Sequence, residues 1–177
     1  MSPVSAKTKN SARKSLRSGF SLVELLVVVM VILVIAAIAI PSLLQARIKA
    51  NEAAAVASMR TIETAETLYS TEYPEQGFSP SLVWLGPNGS DCERPGPNSA
   101  CIIMDETLLS GLKGGYTFEL LGDGKTPSAS YTLSARPESA GFSGNCSFTS
   151  GSSGEIVRAT PDSSSQGRFS IGGSGGC

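Results

Sequence analysis

Apolar residues dominate one stretch of the chain: sixteen run without interruption from Leu25 to Ile40. With Phe20–Glu24 before and Pro41–Leu44 after, the segment reaches 25 residues. As helix that is roughly 37 Å at about 1.5 Å per residue, enough to cross a hydrocarbon layer of about 30 Å. Beyond it the pattern turns amphipathic with no loop signal between. Ile48, Ala55, Met59, Ile62, Ala65, Tyr69 and Tyr73 follow at gaps of seven, four and three residues, one face of a continuing helix. Ala53-Ala54-Ala55 favours helix, and the first strong stop is Tyr73-Pro74, because proline disfavours helix in the residue before it. The pattern predicts a helix over about residues 20–72, with a lipid-facing first half and a second half docked on a domain. Helices of that length are far outside the usual range and call for a special architecture.

From Gln76 to Ser110 the chain reads as loop, with Pro80, Pro87, Pro95 and Pro97, and a short helix near Asp105 to Leu109. Strands are expected at Tyr116–Leu121, bounded by glycines on both sides, at the alternating stretch Ser130–Ala135, and more briefly at Cys146–Thr149 and Glu155–Ala159. Turn-length connections join them, as in an antiparallel meander, and Gly122-Asp123-Gly124 reads as a hairpin turn, since it lacks the carboxylate spacing of a calcium loop. Residues 141–177 are about half Gly and Ser, so a weakly structured tail is expected unless Cys177 ties it down.

Charge divides the chain. Residues 1–19 are polar, with Lys7, Lys9, Arg13, Lys14 and Arg17 and no acidic residue, and leave nine basic against fifteen acidic side chains beyond Gly19, a net charge of −6. A basic leader and an acidic body suit an N-terminus kept in the cytoplasm and a body sent across the membrane. They do not suit a general nucleic-acid binder, which needs a cationic surface. Histidine is absent, which excludes His-based triads, general bases and metal ligands. Cys92, Cys101, Cys146 and Cys177 all lie in the body, an even count that suggests disulfides. The eight residues between Cys92 and Cys101 fit a small closed loop better than a zinc site, which leaves Cys146 with Cys177, although four cysteines allow three connectivities. No cofactor or metal site is expected.

The run Ser18-Gly19-Phe20-Ser21-Leu22-Val23-Glu24-Leu25-Leu26-Val27-Val28 closely resembles the cleavage and methylation signature of type IV prepilins and of the pseudopilins of type II secretion. The resemblance is specific over residues 18–48 and extends to about residue 73. It implies that a membrane peptidase cuts between Gly19 and Phe20 and methylates the new amino-terminal Phe20. It also matches Glu24 to the family's glutamate and Pro41 to a proline common in its hydrophobic helix. The implied fold is α+β: a long N-terminal helix, transmembrane in its first half, packed on a small antiparallel sheet. The implied organisation is a leader over 1–19, a membrane and assembly helix over 20–44, its amphipathic continuation over 45–73, and a globular head over 74–177.

The residues fit these roles physically. Gly19 lacks a Cβ and lets the backbone enter a narrow site extended. Glu24 is the only charge between Phe20 and Ile40, and a carboxylate at mid-bilayer costs about 2.5 to 3.5 kcal/mol, so it calls for a partner. The resemblance supplies one, the amino group of Phe20 in a neighbouring subunit, so that misregistered subunits leave both charges uncompensated. Otherwise Glu24 is simply a carboxylate at a helix N-terminus. Pro41 removes a backbone hydrogen bond and kinks or loosens the helix, or else marks where it leaves the lipid. Tyr69, Tyr73 and Phe78 read as helix-to-sheet packing.

The implied function is structural rather than enzymatic. A single-pass inner-membrane precursor with a cytoplasmic N-terminus meets the prepilin peptidase and methyltransferase and an inner-membrane assembly platform, then polymerises with copies of itself and related pilins into an extracellular pilus. The alternative is a periplasmic pseudopilus of type II secretion. Major pseudopilins commonly bind calcium through a C-terminal acidic loop, whereas here only Glu155 and Asp162 lie beyond residue 140. A third reading is a secreted binding module whose signal peptide ends at Ala37-Ile38-Ala39; Glu24 and the unbroken helical period past Ile40 oppose it.

Overall fold

The computed structural model describes residues 21–89 and 92–159. In chain order these form helix α1 (Leu22–Glu72), a 3₁₀ turn (Leu82–Leu85), helix α2 (Glu106–Leu109) and strands β1 (Leu112–Lys113), β2 (Tyr116–Gly122), β3 (Tyr131–Pro137), β4 (Ser147–Gly151) and β5 (Val157–Ala159). The chain divides into two units at Ile40/Pro41.

In the first unit the helical run has no buried residue. Leu25, Val28, Ile32 and Ile35 are all among the exposed apolar side chains. A contiguous apolar surface of this kind is stable only against lipid or other helices.

In the second unit α1 ends at Glu72, directly before Tyr73-Pro74, as the proline signal predicts. Its buried positions are Ile48, Ala55, Ser58, Met59, Ile62, Glu63, Ala65, Glu66 and Tyr69. Every apolar residue of the predicted stripe is thus buried except Tyr73, which is half-exposed at the helix end and stacks on Tyr69 with ring centroids 5.1 Å apart. Against this face lies a five-stranded antiparallel meander in sequential order. β2 buries Tyr116, Phe118 and Leu120, and β3 buries Tyr131, Leu133 and Ala135, the alternation a half-covered sheet requires. Register places Phe118 opposite Ala135 and Leu120 opposite Leu133, so both strands turn the same face to α1. Met59, Ile62, Tyr69, Tyr116, Leu133 and Phe148 form the centre of one core.

The expected strands are present with shifted ends, and two short elements had no pattern to announce them: β1 and the 3₁₀ turn. Gly122-Asp123-Gly124 is not the hairpin turn it resembles. Gly122 closes β2 opposite Tyr131, leaving an eight-residue connection over 123–130. Asp123 organises it by accepting from the N–H groups of Lys125 (3.0 Å) and Ala129 (3.2 Å). The connection is longer than a turn because Ser128 bridges back to Gly77, with Phe78 N–H donating to Ser128 O (3.1 Å) and Ser128 N–H to Gln76 O (2.7 Å). Gly77 has φ +75°, and a Cβ there would lie 2.1 Å from Ser128 O, so only glycine permits this approach.

Candidate functional site

Glu24 lies in the first turn of α1 and is exposed, the position at which a carboxylate interacts favourably with the helix dipole. Among the described residues no ion pair involves it. Pro41 lies inside α1, which continues on both sides of it. Gly19, Phe20 and Cys177 lie outside the described residues. By length and composition α1 is able to span a membrane, and none of its most apolar stretch is buried.

The second half of α1 carries two buried carboxylates that sequence reasoning missed. Glu66 is fully buried and accepts from the backbone N–H of Ser79 (2.9 Å) and from its hydroxyl. Glu63 is 8% exposed and accepts from Arg60 (2.8 Å) and from the hydroxyl of Ser150 in β4. Arg60 also donates to Gly154 O (2.8 Å) just past β4. Each carboxylate therefore clamps a different part of the head to the helix. Burial pushes the Glu66 carboxyl up to about 7 against the opposing hydrogen bonds from Ser79. Burial, then the nearby Glu63 and Glu66, push the Tyr131 hydroxyl up to about 12. Among the described residues no three acidic or cysteine side chains gather into a metal-binding group.

Cys92 and Cys101 are disulfide-bonded with Cα atoms 5.8 Å apart. Their loop is fastened to the core by Ala100 N–H to Trp84 O (2.9 Å), by Ile102 N–H to Leu85 O (2.8 Å), and by the Tyr69 hydroxyl donating to Pro97 O (2.8 Å). Cys146 is buried and also disulfide-bonded, and no described cysteine is free.

Residues 14–40 match the family model of the prokaryotic N-terminal methylation motif. No curated protein and no solved structure matches the chain. The matched segment is the signature of type IV pilins and pseudopilins, and it ends at the boundary between the two units. The head it leads into has a pilin-like α+β architecture, a long helix packed on a five-stranded antiparallel sheet.

Proposed function

We propose that this chain is the precursor of a type IV pilus subunit. The observation that carries the reading is the methylation motif at residues 14–40 leading into an apolar helical run with no buried residue and one acid, Glu24, in its first turn. Residues 1–19 act as the leader, and the prepilin peptidase cuts between Gly19 and Phe20 and methylates Phe20. Residues 20–44 hold the subunit in the inner membrane, with the leader in the cytoplasm and the head outside.

Glu24 lies in the first turn of α1, near enough to the membrane interface to be tolerated in the free subunit. In the filament its carboxylate pairs with the amino group of a neighbour's Phe20, which sets the register, because a shifted neighbour would leave two buried charges unpaired. The contact is heterologous and does not close on itself, so copies add without limit, and helix packing replaces lipid. Pro41 supplies a weak point at which the helix bends as it enters the bundle. The head over 74–177, on which residues 45–73 dock, forms the outer surface, with Cys146 paired to Cys177. The scarcity of acidic residues beyond position 140 favours a pilus over a secretion pseudopilus.

Mass spectrometry of the mature protein tests the core of this. The expected N-terminus is Phe20 carrying one methyl group. A mature start at Ile40 would overturn the filament reading in favour of an ordinary signal peptide. Electron microscopy of cells lacking the gene should then show loss of surface fibres, whereas intact fibres with lost protein export would point to the secretion system.

A further inference from the structure

The connection between β3 and β4, residues 138–146, holds one large apolar side chain in solvent: Phe142 is 68% exposed. The loop's tip is closed on itself by Phe142 N–H to Ser139 O (3.1 Å), Ser143 N–H to Ser139 O (2.9 Å) and Gly141 N–H to Gly144 O (3.0 Å). The side that follows Phe142 is moored to α1, with Asn51 donating to Ser143 O (2.9 Å) and Asn145 N–H donating to Glu52 (2.9 Å). Beneath it Gly144 lies so close to the Tyr116 ring that a Cβ would fall 2.0 Å from the hydroxyl oxygen, and that hydroxyl donates to Cys146 O (2.9 Å).

The mooring points place this loop at one end of the head. Asn145 is tied at residue 52 and Ser143 at residue 51, within four residues of Ile48, the first buried residue of α1. Pro41 through Arg47 are all exposed. Leu44, the last residue of the apolar segment, is four residues from Ile48, roughly 6 Å of helix, about the thickness of one headgroup layer. Between and beside them stand Arg47 and Lys49, both exposed. Of the acids at this end, Glu52 is occupied by Asn145 N–H and Glu138 is exposed.

We infer that this end of the head is a lipid-contacting surface in the subunit before assembly. Phe142 enters the boundary between headgroups and acyl chains of a phospholipid bilayer, and Arg47 and Lys49 pair with lipid phosphates. The inference rests on the membrane-anchored reading proposed above. It assigns the β3–β4 loop a task distinct from spanning: it fixes how the head stands on the membrane, with an amphipathic combination of ring and cations suited to that zone.

The test uses the full chain in phosphatidylethanolamine and phosphatidylglycerol vesicles. Phe142→Trp is placed in a Trp84→Phe background, with Leu121→Trp, exposed on β2, as the reference. The expected result is blue-shifted emission from position 142 that is quenched by brominated lipids, with neither effect at position 121. Arg47→Ser with Lys49→Ser should reduce the shift in anionic vesicles but not in phosphatidylcholine. If the chain floats with the vesicles while position 142 stays unquenched, the inference fails and the membrane reading stands. If the chain does not float with them at all, the membrane reading itself fails. A shift that vanishes when the protein is diluted in excess lipid would assign Phe142 to a second copy and overturn the inference.

Discussion

Glu66 and Ser79 are thirteen residues apart, yet the carboxyl of one receives both the backbone N–H (2.9 Å) and the hydroxyl of the other, inside the core. The contact joins the sheet-facing stripe of α1 to the chain that leaves it, just before the 3₁₀ turn. Its chemistry makes the head sensitive to pH.

Burial raises the Glu66 carboxyl from 4.5 to about 7, so the folded chain keeps a proton that the unfolded chain releases. That stabilisation is complete below about pH 4.5 and is lost as pH rises through about 7, a fall of roughly 3 kcal/mol at most. Asp105 and Asp123 act oppositely and elsewhere on the scale. Hydrogen bonds, first from Lys113 and first from the Lys125 N–H respectively, hold their carboxyls below the ordinary range, so their contributions fade only in acid. Thermal melts of the detergent-solubilised chain should show Tm falling between about pH 4.5 and 8, and Glu66→Gln, which mimics the protonated group, should flatten that fall. An equal fall in the variant would assign the effect to other groups.

The same stretch of helix separates what was legible in the sequence from what was not. Ile62 and Tyr69 announced the buried face because apolar residues recurring at helical spacing mark the side of a helix that must be covered. Between them the period admits Ala65 or Glu66, and both are buried. Glutamate in a helix is ordinarily solvated, so only its place on the stripe, three residues after Glu63, could have flagged it. Strands β2 and β3 were legible from alternation, whereas the 123–130 connection was not, because Gly77 and the helix end determine its course. The apolar half of α1 was plain from composition alone.

Opposite sides of α1 should respond differently to truncation. Ile62 has no exposure and touches the core, so Ile62→Ala should cost about 2 to 5 kcal/mol through lost burial and a cavity. Leu68 is 53% exposed, and Leu68→Ala should stay within about 0.5 kcal/mol. Denaturant melts of both variants check this, and comparable losses would mean that α1 does not dock through the stripe described.

Cys92–Cys101 and the disulfide of Cys146 predict how the folded protein meets thiol reagents. Alkylation should label none of its four cysteines before reduction and all four afterwards. Opening the loop of eight intervening residues should lower stability by about 2 to 3 kcal/mol, by the entropy of a closed loop of that size. Labelling in the untreated protein would show that the bridges do not form on export.

Glu24→Ala separates insertion from assembly. Removing a carboxylate from an apolar helix makes insertion easier, by up to about 2.5 to 3.5 kcal/mol at mid-bilayer and less near the helix start, so membrane fractionation should find the variant at normal or higher levels. If Glu24 pairs with the amino group of a neighbour's Phe20, the variant leaves that group without a counter-charge in the filament core, and polymerisation should fail although every subunit is processed and anchored. Glu24→Asp keeps the charge on a shorter side chain and should restore part of the yield. Sheared fractions and negative-stain microscopy measure the outcome. Normal filaments from Glu24→Ala would reduce the residue to a carboxylate favoured by its helix terminus, and the register would then have to come from helix packing alone.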